Sequence, residues 1–193
     1  MKIDYLDCVT KVSCSADSNG HRSFLELEVT PKSNNYDALS KSDNYDALFI
    51  GINPSKADEE YSDKTINLLS ERSSEEGWKK IVFYNLLSNY STTFDQLSGN
   101  DHHNTVDMKE FESKVNDSRR IIVFWGNDTE KINNGTRTAF YEILKHHTNK
   151  LYCYGETKKY YPMHVSRKHS NFHLGPLYKV NKLSPILKVE LLG

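Results

Sequence analysis

The chain has 193 residues, with 25 Lys and Arg against 26 Asp and Glu, a net charge of −1 and a mean hydropathy of −0.69. That length suits one domain with a proper buried core, and the near-neutral balance argues against a general nucleic-acid binder. No apolar run approaches the roughly 20 residues of a membrane-spanning helix, and no charged leader precedes an apolar segment at Met1. A soluble, cytoplasmic protein with no membrane partner is therefore expected.

The three cysteines, Cys8, Cys14 and Cys153, are odd in number and lack any Cys-x-x-Cys spacing. This argues for a reducing compartment, against a disulfide framework and against a zinc site. Charge is unevenly placed. From Lys150 to Gly193 eight cations face two glutamates, a net +6, which leaves −7 on the rest. A basic C-terminal quarter is a footprint suited to phosphate, although a solvated lysine-rich face has the same composition.

In chain order, "SFLELEVT" (Ser23–Thr30) alternates apolar and polar residues, the pattern of a half-buried strand. A five-residue repeat follows, Asn35–Leu39 and Asn44–Leu48; two copies are too few for a repeat architecture. The first copy reads as loop and the second leads into a strand at Ala47–Ile52. A helix is predicted from about Asp63 to Glu76, ended by Gly77. "KKIVFYNLL" (Lys79–Leu87) is a strand and "DMKEFESKVNDS" a helix. "RRIIVFWG" is a near-continuous apolar strand, "GTRTAFYEILKHHTN" a helix with Phe140, Ile143 and Leu144 on its core face, and "KLYCYG" a last core strand. Apolar strands alternating with helices predict an α/β three-layer sandwich around a mainly parallel sheet of about four strands. Those strands are Ala47–Ile52, Ile81–Leu86, Arg120–Trp125 and Leu151–Tyr154. Residues 1–46 form an N-terminal strand and loop extension, and residues 47–180 the core, of a single domain 1–193.

In open parallel sheets ligands bind beyond the carboxyl ends of the strands. Those ends here carry Gly51-Ile52-Asn53-Pro54-Ser55, Asn85-Leu86-Leu87-Ser88, Trp125-Gly126-Asn127-Asp128 and Gly155-Glu156-Thr157-Lys158. Gly51 allows close backbone approach and Pro54 fixes the turn around Asn53. A purely structural reading of the first end is also good. Ser55 and Asp58 have the spacing of a capping box, and Asn-Pro is a common way to leave a strand. Amides at three successive strand ends tip the balance toward a site. The fourth end opens "ETKKYYPMHVSRKHSNFHLGPLYKV" (Glu156–Val180), where cations that contact phosphate mix with aromatic rings that stack bases. Its histidines lack partners at metal-ligand spacing, so neither a metal nor another cofactor is expected. His102-His103 and His146-His147 read as surface pairs.

The order "LFIGINPSKAD…SDKTI…IVFYNLLSNYSTT…IIVFWGN…LYCYGETK…P" resembles the bacterial and phage family known as domain of unknown function 1643, over roughly Arg22 to Val180. That family name implies no activity. More distantly, "FIGINPS" and "IIVFWGN" are similar to segments of the uracil-DNA glycosylase superfamily, especially its mismatch-specific branch. Ser55 stands where that branch has glycine, and Val165 where its closing motif near His164-Val165-Ser166 has proline. This second resemblance implies a uracil-DNA glycosylase-like fold, and that Asn53 positions the water attacking the sugar carbon.

Cleaving an N-glycosidic bond needs a positioned water, a donor to the departing base and a means of extracting that base from the stack. In such a site Asn53 holds the water, Asp58 or Asp63 favours positive charge on the sugar, and His164 or Asn127 donates to the base. Gly51, Ser55 and Asn85 line the substrate, while Ser166, Arg167 and Lys168 hold flanking phosphates. The expected function is a glycosylase-like hydrolase acting on DNA or a nucleoside derivative. The alternatives are a nucleotide- or DNA-binding module without chemistry, and a protein-interaction role in a phage or defence setting.

Overall fold

The computed structural model describes residues 3–16, 22–32, 44–52, 57–87, 107–165 and 174–192. Among the described residues there are eight strands: β1 (Val9–Ala16), β2 (Arg22–Val29), β3 (Ala47–Gly51), β4 (Lys80–Asn85), β5 (Ile121–Val123), β6 (Leu151–Cys153), β7 (Tyr178–Leu183) and β8 (Val189–Leu191). They form one sheet in the order β1-β2-β4-β3-β5-β6-β7-β8. The α-helices among the described residues are α1 (Lys64–Glu75), α2 (Met108–Asn116) and α3 (Asn134–Leu144).

The four expected core strands are β3 to β6, and they run parallel to one another. The expectation of a mainly parallel four-stranded sheet is nevertheless corrected. Antiparallel strands flank this centre on both sides, so four of the seven pairings are antiparallel. The N-terminal extension supplies two strands, not one, and residues after Val180 continue β7 and add β8. Both misses have a physical cause. In "VTKVSCSA" small hydroxyl-bearing residues alternate with weak apolar ones on a partly exposed edge strand. In "YKVNKL" an irregularity between Val180 and Lys182 breaks the period of two, so buried Val180 and Leu183 fall three apart.

Alternation along the parallel strands separates two cores. Leu48, Ile50, Val82, Tyr84, Ile121 and Val123 pack with Phe111 and Val115 of α2 and Phe140 and Leu144 of α3. On the opposite face Ala47, Phe49, Ile81, Phe83, Ile122 and Phe124 pack with Ile66, Leu68 and Leu69 of α1. Phe49 stacks on Phe83 with ring centroids 5.0 Å apart, an offset pairing favourable beyond simple burial. Each buried strand thus reads as a continuous apolar run because both its faces are covered.

Local signals set the helix ends. Asp63 caps α1, its carboxylate accepting from the amides of Thr65 and Ile66 at 2.7 and 3.0 Å. Gly77, at φ 80°, takes the left-handed conformation just past the helix end that glycine adopts most easily. α1 starts only at Lys64, and Asp58 of the expected Ser55–Asp58 capping box accepts from the amides of Glu60 and Tyr61, ahead of the helix, while Ser55 lies outside the described residues. Asp107 caps α2 through the amides of Lys109 and Glu110. At the other end of α2 the Lys150 ammonium donates to the carbonyls of Val115, Asn116 and Ser118.

Candidate functional site

The connections around β3 locate the candidate site. From β3 the chain crosses through α1 on one face to β4, its neighbour on one side. From β5, the neighbour on the other side, it crosses through α3 on the opposite face to β6. The two connections diverge at the carboxyl ends of β3 and β5. This is the topological switch point at which open α/β sheets bind their ligands.

Three residues on the α1 face meet there. Gly51 ends β3 and is the register partner of Asn85, which ends β4. A Cβ added at Gly51 would lie 2.9 Å from Asn85 Oδ1 and 3.1 Å from two carbons of the Phe124 ring. The missing side chain is therefore what lets a buried amide, 7% exposed, rest over the end of β3. Phe124 carries His164 edge-on, with ring centroids 5.6 Å apart and planes at 65°. Gly126, at φ 72°, allows the chain to pass close beneath His164, whose Cβ would be 3.4 Å from any side-chain carbon at that position. The Gly126 amide donates to the Pro162 carbonyl at 2.9 Å, fixing the returning segment.

A second group of residues lies at the same end of the sheet. β2 runs antiparallel to β4, so Arg22, which opens β2, sits beside the end at which β4 finishes. Ser15 pairs with Phe24 and Ala16 with Arg22, which leaves Ser23 as an extra residue on β2. Without it Arg22 would share the α2 face with Phe24 and Glu26. The bulge turns the guanidinium to the α1 face, where it is 2% exposed and donates to the Ala57 carbonyl at 2.5 Å. Re-aiming one side chain in this way is a common use of bulges near functional sites. The Tyr5 hydroxyl donates to the Asp58 carbonyl at 2.7 Å. Burial pushes that hydroxyl well above its usual pKa, while Arg22 acts in the opposite direction.

Gly51, Asn85 and His164 are thus brought together, with Phe124 as the shared surface. The other described candidates have different roles. Asp58 Oδ1 accepts from the amides of Glu60 and Tyr61 at 3.0 and 2.8 Å, and Asp63 caps α1. Asn127 Oδ1 accepts from the Thr157 hydroxyl at 2.6 Å, tying the β5 end to the segment after β6. Asn53, Ser55, Ser166, Arg167 and Lys168 lie outside the described residues. Among the described residues no group of three or more His, Cys, Asp or Glu is placed to hold a metal ion.

The described cations of the basic quarter are dispersed. Lys150 serves the end of α2, Lys159 pairs with Glu130 at 2.9 Å, and Lys182 and Lys188 lie on the C-terminal hairpin. Arg22 and Phe124 were missed in the sequence. Phe124 is one more apolar residue in a core strand, and nothing in "RSFLELEV" announces a bulge.

The family model described as "Protein of unknown function (DUF1643)" matches residues 36–164. The chain belongs to this family. Its match begins before β3 and ends at His164, so it contains all four parallel strands and the Gly51–Asn85–Phe124–His164 cluster. No curated protein and no solved structure matches the chain. The resemblance to uracil-DNA glycosylases gains no support from these comparisons. No helix among the described residues is long and apolar enough to cross a membrane.

Proposed function

We propose that the protein is a glycosylase-like hydrolase whose substrate is a nucleobase in DNA or a nucleoside derivative, bound in the crevice between the ends of β3 and β5. The observation that carries this reading is the buried Asn85 amide over side-chain-free Gly51, beside the Phe124–His164 pair, at the switch point. An amide reads the hydrogen-bonding edge of a base, and an aromatic ring offers a stacking surface for its face. Arg22, buried at the same end, supplies fixed positive charge toward a phosphate.

In the reaction, water adds to the anomeric carbon as the N-glycosidic bond breaks. The bonding electrons leave with the base nitrogen, which takes a proton from the site, and the proton lost by the attacking water restores the one the site gave up. Asn53 orients the water and His164 donates toward the base. A binding module without chemistry is the second reading. It is favoured by Asp58 and Asp63, whose carboxylates receive backbone amides in place of facing a sugar.

The test uses single- and double-stranded oligonucleotides carrying uracil, hypoxanthine or modified pyrimidines, with abasic sites revealed by alkaline cleavage. Wild type should release a base, and Asn53→Ala should slow that release about a hundredfold or more, as when one positioned catalytic group is removed. Asp63→Ala should leave base release unchanged while costing about 1 kcal/mol of stability as a lost helix cap. Salt-sensitive oligonucleotide binding without base release would select the second reading. Absence of both would refute the assignment.

A further inference from the structure

A surface on the C-terminal hairpin is not used by the crevice chemistry. β7 and β8 are joined by a tight turn in which the Leu187 amide donates to the Ser184 carbonyl and the Lys188 amide to the Ser184 hydroxyl. The segment from Glu156 to Pro162 lies alongside, anchored where the Val189 amide donates to the Tyr160 carbonyl at 2.8 Å. Between them is a groove of about 780 Å³, with Tyr160 and Ile186 among its apolar residues. Tyr160 has φ 66°, a conformation that a bulky residue holds only against strain, and it is 60% exposed. Among the described residues five large hydrophobics are exposed. Four of them, Tyr160, Tyr178, Ile186 and Leu192, fall on the hairpin and this adjoining segment. Such clustering marks an interaction surface.

The charges at this groove identify the partner. Lys182, Lys188, Glu156 and Glu190 line it. Among the described residues none of the four takes part in an ion pair within the chain. The two glutamates are the only acidic residues of the otherwise basic C-terminal quarter, and both are here. A polyanion would not be met by the two acids of a basic segment. A two-fold axis, by contrast, sets a patch against its own copy, so a favourable patch carries both signs. An apolar centre with a balanced charged rim is also the anatomy of a protein–protein interface.

We propose that this groove is the isologous interface of a homodimer, with Tyr160 and Ile186 at its centre and the lysines of each protomer facing the glutamates of its partner. The interface also bears on the crevice. The segment that carries Tyr160 is tied to the end of β5 by Thr157 on Asn127 and by Gly126 on Pro162, and it leads directly to His164. Dimerisation buttresses the segment that positions this histidine.

Sedimentation velocity on the full chain over a dilution series tests the proposal. Wild type should dimerise with a dissociation constant on the order of micromolar. The doubly reversed variants Lys182→Glu/Lys188→Glu and Glu156→Lys/Glu190→Lys should each be monomeric, because their rims repel their own copies. An equimolar mixture of the two should associate again. Ile186→Ser, at a site already 40% exposed, should weaken the dimer about tenfold, and thermal melts should confirm that every variant is folded. A wild type that stays monomeric at all concentrations overturns the proposal. So do reversed variants that dimerise as well as wild type, or a mixture that does not associate.

Discussion

Substituting Gly51 by alanine probes the crevice at its tightest point, and two effects of opposite sign compete. Gly51 is not in the left-handed region, so alanine can adopt its backbone conformation, and the stiffer unfolded chain contributes about 0.4–1 kcal/mol of stability. Against this, the new methyl would stand 2.9 Å from Asn85 Oδ1 and 3.1 Å from the Phe124 ring. Phe124 is 5% exposed and has little room to retreat. Overpacking of this kind costs about 1–3 kcal/mol, so collision should win and the net loss should be about 1–2 kcal/mol. For a chain of this size that lowers Tm by about 2–8 °C. Urea and thermal unfolding would measure it, in the wild-type background and again with Asn85→Ala. Removing the amide oxygen relieves the closest contact, so the cost of Gly51→Ala should fall by roughly 0.5–1 kcal/mol in the second background. An alanine variant more stable than wild type, or an equal cost in both backgrounds, would refute the packing of Asn85 over Gly51.

Lys150→Met keeps most of the side-chain stem but removes the donor to the Val115, Asn116 and Ser118 carbonyls. Stability should fall by about 2 kcal/mol and Tm by about 4–8 °C, seen by calorimetry, with oligonucleotide affinity unchanged. Burial, followed by Lys150 and His146, lowers the pKa of His147 from its usual 6.5. The unfolded chain therefore binds a proton that the folded chain resists. The stabilising contribution is complete above about pH 6.5 and is lost as pH falls from there through the lowered value. His147→Gln should flatten the stability profile over that acidic window in urea titrations at stepped pH, and leave it unchanged at pH 8.

The parallel centre was legible because covering both faces of a strand leaves a continuous apolar run, as in "ALFIG" and "IIV", and because Asp63, Asp107 and Gly77 mark helix ends chemically. The flanking strands were not. β1 is an edge strand with weak alternation, and the irregularity in β7 spaces its buried residues like those of a helix. Gly51, Asn85 and His164 were named from their place at or just beyond the ends of apolar strands, and the structure brings them together around Phe124. Asp63 was named for chemistry because an acidic cap and an acidic catalyst look the same in one sequence, and in the structure its carboxylate caps α1. Only its bonds to Thr65 and Ile66 distinguish the roles. Lys150 was counted toward a phosphate footprint for the same reason: composition registers a charge, not the carbonyls that consume it.

The antiparallel flanks enlarge the sheet without relocating its crevice, and the order of the strands explains why. A switch point lies where the connections of two neighbouring strands diverge, one to each side of the sheet and one to each face, and among the described parallel strands β3 and β5 satisfy that condition. β2 adds to the outside of β4 and β7 to the outside of β6, so neither comes between the diverging connections. What β2 contributes is chemical. Its direction brings its first residue to the carboxyl end of β4, and one extra residue at Ser23 turns Arg22 onto the face that holds Asn85. A parallel strand in that place would present its first residue at the far end of the sheet. The antiparallel flank is thus the feature that puts a buried cation beside the crevice, through a register shift of a single residue.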